Sequence, residues 1–227
     1  MRNYYQFYFI TIFSILNCFS QDKSIPIENY SIYPSGVVIN IENDNYTIEE
    51  IYNHFFSQKY RLNNKWSSDF GTRKNDVLIS KINNSIIITN PVFNNKILVD
   101  GDKDLIDKLY KYFNKPKNIF CFADFDFGPV YGFRLIEDGI TKRYRHNLGP
   151  QAITKEFGIP HIAEWEWWNV KFYTENDEEG ELLFEKDGKV YSYYHMNKYL
   201  SKAVMKNIFG FTYDEDKAKE SYYFIVK

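Results

Sequence analysis

A chain of 227 residues with 28 Lys and Arg against 30 Asp and Glu carries a net charge of −2 at neutral pH, with the two signs mixed. That balance leaves no basic stripe for nucleic acid. The length suffices for one domain or two small lobes, burying about 70% of the unfolded surface without a disulfide or metal to hold it.

Residues 1–21, MRNYYQFYFITIFSILNCFSQ, combine one basic residue, an apolar run from Phe7 to Leu16 and a short polar exit, the pattern of an export signal. The run is about half the ~20 residues that a membrane-spanning helix needs. Ile15, Leu16 and Asn17 before Cys18 resemble the lipobox of bacterial lipoproteins. This resemblance implies acylation of Cys18 and a mature chain that starts there, although Asn17 stands where the lipobox has a small residue. The alternative is cleavage after Ser20, which releases a soluble protein from Gln21. Either route places the protein outside the cytoplasm, in a periplasm or envelope, and touches a membrane only through lipid on Cys18. Cys121 is then the single remaining cysteine, expected as a small buried apolar residue with no disulfide partner.

Three helices are signalled along the mature chain. Thr47 and Glu50 form a capping box ahead of the apolar stripe Ile48, Ile51, Tyr52, Phe55 and Phe56. Asp102 can cap a second helix that presents Leu105, Ile106, Leu109, Tyr110 and Phe113 and stops at Asn114 and Pro116. A third follows Asn197 through Leu200, Val204 and Ile208 to Gly210, which suits a left-handed terminus.

Strands are expected over 36–41, 76–82, 85–89, 97–99, 119–127, 130–137, 140–146, 181–186, 189–195 and 221–226, with turns at Asn83-Asn84, Gly128-Pro129, Asp138-Gly139 and Asp187-Gly188. The order predicts an α+β fold, a mainly antiparallel sheet with about three helices packed on it. After a leader over 1–20, residues 21–227 read as a single domain or as two lobes dividing near 147–160.

The 120–146 segment is densest in functional chemistry. Asp124 and Asp126 share a strand face. A two-residue Gly128-Pro129 loop sets Asp124 opposite Phe133, and a three-residue loop sets it opposite Arg134. With Arg143, Arg145 and His146 these groups make either a solvated salt-bridge ladder or a face that binds a cation, a sugar or a basic loop. Glu164-Trp165-Glu166-Trp167-Trp168 follows. As a strand it puts Trp165 and Trp167 on one face; as a helix it aligns Ile162, Trp165, Trp168 and Phe172. Either is a sugar-stacking or protein-binding platform, or a share of the core. His161 and Glu164 stand at a spacing that can ligate metal, yet the other histidines are scattered. No phosphate loop, dinucleotide fingerprint or G-x-S-x-G elbow is present, and no cofactor or metal is implied.

These observations lead to an expected exported, non-enzymatic binding protein that recognises a protein partner, with an immunity-like role as one case. The alternative is a carbohydrate-active hydrolase that uses two of Asp124, Asp126, Glu164 and Glu166, its tryptophans stacking on a glycan.

Overall fold

The computed structural model describes residues 27–31, 34–42, 45–63, 75–125, 130–147, 154–174 and 182–226. The readings made of 1–21, including Cys18, and of Asp126 lie outside the described residues.

Strands β1 (Ile27–Ser31), β2 (Ser35–Asn40), β3 (Tyr60–Asn63), β4 (Val77–Ile82) and β5 (Ser85–Thr89) come from the first half of the chain. Then follow β6 (Asn118–Phe125), β7 (Val130–Glu137), β8 (Ile140–Asn147), β9 (Lys155–Gly158), β10 (Lys171–Thr174), β11 (Leu182–Lys186), β12 (Lys189–Ser192) and β13 (Lys217–Val226). Among the described residues ten strands form one antiparallel sheet in the order β1-β13-β4-β5-β2-β6-β7-β8-β9, with β3 also paired to β13. β10, β11 and β12 make a second sheet of three strands. The helices are α1 (Ile48–Phe55), α2 (Pro91–Asn95), α3 (Lys103–Tyr112), α4 (Trp165–Trp168) and α5 (Met196–Phe209).

The expected α+β arrangement, one sheet carrying about three helices, is therefore corrected. The molecule is sheet-rich, with two antiparallel sheets and five α-helices among the described residues, α2 and α4 being only 5 and 4 residues long. The large sheet is covered on both sides. One face carries Val37, Ile39, Ile86, Ile88, Ile119 and Cys121 against α1, α2 and α3. The other carries Val38, Ile87, Phe120, Phe122, Phe133 and Leu135 against α5 and Phe184 of the small sheet. Double coverage explains why β5 and β6 are unbroken apolar runs instead of alternating ones.

Local signals decide most elements. Thr47 and Glu50 exchange both bonds of a capping box at α1, and Asp102 accepts the Leu105 N–H at 3.0 Å at α3. Asp138-Gly139 and Asp187-Gly188 all take positive φ, the conformation that a two-residue hairpin turn requires. The expected strand at 97–99 is corrected. Asn90 accepts the Phe93 N–H at 2.8 Å, Pro91 starts α2, and the backbone continues as a π-helical turn (Lys96–Asp100) up to Gly101 at φ 63. The β11–β12 register pairs Phe184 with Tyr191 as read from sequence, but the ladder stops at Ser192 and Tyr193 enters a 3-10 turn, so Leu182 gains no Tyr193 partner.

Candidate functional site

The charged residues of 120–146 do not share one face. Cys121 stands opposite Arg134, Ala123 opposite Gly132 and Asp124 opposite Tyr131, leaving four residues, 126–129, between the strands. Both expected partners of Asp124, Phe133 and Arg134, are thereby corrected. Because successive side chains alternate, Asp124, Arg143 and Arg145 project to the α5 side, whereas Arg134 and His146 project to the α1–α3 side. The open ladder is replaced by two buried polar clusters and a groove.

The first cluster joins β8, β9 and the turn before α4. Arg143 donates from Nε to Glu164 Oε1 at 3.0 Å and from Nη2 to Glu164 Oε2 at 2.9 Å, a two-pronged pair around a carboxylate with no solvent exposure. Glu164 also accepts the His161 N–H at 2.8 Å and the Trp168 indole N–H at 3.4 Å. Glu156 Oε2 bridges Arg143 Nη2 at 2.9 Å and Arg145 Nη1 at 2.6 Å. Arg145 completes its fork with Asn197 and Tyr193, and its guanidinium lies 4.7 Å above the Trp168 ring. Burial opposes the charge on Arg143, yet Glu164 and Glu156 outweigh it and hold the guanidinium above its ordinary value. Burial likewise pushes the Glu156 carboxyl up, and the hydrogen bonds and charges of Arg145 and Arg143 bring it below the usual range.

The second cluster lies against the π-helical turn between α2 and α3. Arg134 donates from Nη2 and Nε to the Leu98 carbonyl at 2.9 and 3.3 Å and stacks 4.4 Å from the Tyr144 ring. Among the described residues no carboxylate faces it, and burial draws its guanidinium below its ordinary value. Burial, then the Lys155 and Arg134 charges, lower the His146 imidazole. Burial pushes the Cys121 thiol up, so it stays protonated and inert, as expected of a core residue.

The tryptophan run is helical, and its rings divide. Trp167 stacks on Tyr199 at 4.5 Å and meets Phe184 edge-on; Trp168 covers Arg145. Trp165 is 48% exposed, and Ile159 and Ile162 in the segment that leads to it are 85% and 72% exposed. They follow β9, the edge of the large sheet among the described residues, all four of whose residues are exposed. Phe157 of β9, 48% exposed, lies instead beside Tyr144 and Arg134 on the α1–α3 side. His161 and Glu164 cap the 3-10 turn (Ile162–Glu164) through each other's backbone, which accounts for their spacing, and among the described residues no three His, Cys, Asp or Glu gather as metal ligands.

Asp124 forms the floor of a groove of about 380 Å³ lined by Pro34, Phe125, Lys198, Lys202, Tyr213 and Asp214. Its backbone N–H donates to the Pro34 carbonyl at 2.7 Å, and its carboxylate lies 3.5 Å from the Lys198 ammonium. A hydrolytic pair drawn from Asp124, Glu164 and Glu166 has no common cleft: Glu164 is enclosed by Arg143, and Glu166 is a surface group bonded to Lys186 at 2.7 Å. Sequence reasoning missed Glu156, Asn197, Tyr193 and Lys198 as neighbours of the charged residues, since contacts 11 to 74 positions apart leave no local trace. Phe157, Ile159 and Ile162 did carry a signal, apolar side chains interrupted by Gly158 and Pro160 where no amphipathic period can bury them. No protein-family model, no curated protein and no solved structure matches the chain.

Proposed function

We propose that the protein is an exported, non-enzymatic binding protein of a bacterial envelope that recognises a protein partner through β9 and the exposed apolar side chains Ile159, Ile162 and Trp165 that follow it. The exposure of three large apolar side chains next to a strand that, among the described residues, ends the large sheet carries this reading. An edge strand offers backbone donors and acceptors, and flanking apolar side chains supply contact area, the combination by which sheets accept an extended segment of another chain. The charged groups of the meander hold this segment in place: the Arg143–Glu164 pair fixes the turn that carries Ile162 and Trp165. Export rests on residues 1–21, and retention at the membrane on acylation of Cys18. A toxin as the partner would make the role immunity-like.

A photo-crosslinking residue placed at 162 in the native envelope should give one discrete adduct, one that Ile159→Asp abolishes and that the same crosslinker at Lys108, on the far side of the sheet, does not give. Absence of any discrete adduct at 162 overturns the partner reading. Mass spectrometry of the mature N-terminus tests export separately: a diacylglyceryl Cys18 or a start at Gln21 supports it, and retention of Met1 refutes it.

A further inference from the structure

A groove of about 320 Å³ lies on the α1–α3 side, between the end of α1, α2 and the first turn of α3. None of its lining residues belongs to β9 or to the segment that follows, so the partner reading makes no use of it. Its apolar part is built from Phe55, Phe56, Val92, Phe93 and Leu105. Phe93 is 5% exposed and held from three directions. Phe55 meets it edge-on at 5.8 Å, Phe56 lies at 5.2 Å, and Asn90 accepts its N–H at 2.8 Å while donating to the main-chain carbonyl of Asp76 at 2.8 Å. Ser57, Gln58, Asn75 and Lys96 form an exposed polar rim. Lys96 is the only charged side chain among the lining residues, and among the described residues no carboxylate pairs with it.

We propose that this groove binds small carboxylates that carry an aromatic ring, the ring lying against Phe55, Phe56 and Phe93 and the carboxylate on the Lys96 ammonium. Charge selects the class. An organic cation meets Lys96 with no acidic side chain among the lining residues to offset it. A neutral ring compound gains the apolar contact alone, whereas a carboxylate gains that contact and an ion pair. The carbonyl end of α1 opposes an anion only slightly: the Phe56 N–H closes on the Tyr52 carbonyl at 2.7 Å, and the Tyr52 hydroxyl donates to the Gln58 carbonyl at 3.3 Å. The Ser57 hydroxyl and the amides of Gln58 and Asn75 add donors at the same rim. Aromatic walls favour a ring over a flexible chain, and about 320 Å³ suits one ring, at the small end of the usual ligand-pocket range.

Nuclear magnetic resonance titration of the full mature protein with 3-phenylpropionate, 2-phenylethanol and 2-phenylethylammonium tests this, with the backbone amides of 55–58 and 92–96 as reporters. The carboxylate is expected to shift these amides and to bind about five-fold more tightly than the alcohol, the most that an ion pair at an exposed lysine supplies, with the ammonium weakest. Lys96→Met should bring the carboxylate down to the alcohol. Val92→Trp, which fills the groove, should abolish both, and Lys189→Met on the small sheet should change neither. Salt gives a measurement that needs no variant: raising it should weaken the carboxylate and spare the alcohol. The proposal is overturned when no probe moves these amides, when the ammonium binds as tightly as the carboxylate, or when Lys96→Met keeps the preference. The photo-crosslinking at 162 reports on other residues, so either result stands without the other.

Discussion

At the scale of single residues, the Arg143–Glu164 pair shows what a buried charge demands. Glu164 is wholly enclosed, and Arg143 fills both of its oxygens while the His161 N–H and the Trp168 indole take further lone pairs. Removing one partner strands the other in a medium that cannot solvate it. Glu164→Ala is therefore expected to cost about 3–5 kcal/mol, whereas the double change Arg143→Met with Glu164→Leu should recover most of that loss. Urea unfolding midpoints of the two variants against the parent protein measure both. A single variant within about 0.5 kcal/mol of the parent would mean that water reaches Arg143.

At the scale of elements, β9 is fastened at few points. Among the described residues its backbone joins only β8 in the large sheet, and Glu156 ties its side to Arg143 and Arg145. Gly158 lets it approach closely: at φ +88, an added Cβ would fall 1.9 Å from the Lys142 carbonyl oxygen. The pH dependence follows from the lowered Glu156 carboxyl. Such a group stabilises the folded form above its unfolded value of 4.5, and the contribution disappears as pH falls through the lower folded value. Hydrogen exchange of the β9 amides should thus accelerate as pH drops below 4.5, after correction for intrinsic rates, and Glu156→Gln should show fast exchange at every pH. Unchanged protection of β9 in Glu156→Gln at pH 7 would disprove the fastening. The same element marks the limit of what the sequence reveals. α1, α3 and the Asp138-Gly139 and Asp187-Gly188 hairpins were legible because caps, stripes and turn residues act within a few positions. β9 was not, because Lys-Glu-Phe-Gly has neither alternation nor β-branching and is a strand only by lying against β8. The run Ile97-Leu98-Val99 misled in the other direction: its β-branched content favours a strand, but Asn90 and Pro91 had already committed the chain to a helical turn. In the candidate site, the identities of Asp124, Arg143, Arg145 and Trp165 were legible. The placing of Arg134 and His146 on the opposite face was not, since it depends on a register that sets Phe125 against Val130 and that the turn residues do not give.

At the scale of the molecule, the strand that completes the large sheet comes late. β13 lies between β4 on one side and β1 with β3 on the other, its Ser221 hydroxyl bonded to Ser80 at 2.7 Å and its Tyr223 hydroxyl to Asp76 at 2.5 Å. Deleting 217–226 should leave a chain without cooperative thermal unfolding, because β1 and β3 lose the one partner that each has among the described residues and the apolar residues of β4 lose half of their pairing. A sharp calorimetric transition in the truncated protein would contradict this. The position of β13 also sets an order of assembly. Two early strands, β1 and β3, pair with a late one, so that end of the sheet cannot close until residues 217–226 have been made. Folding from the N-terminus onward therefore leaves this end of the sheet open longest.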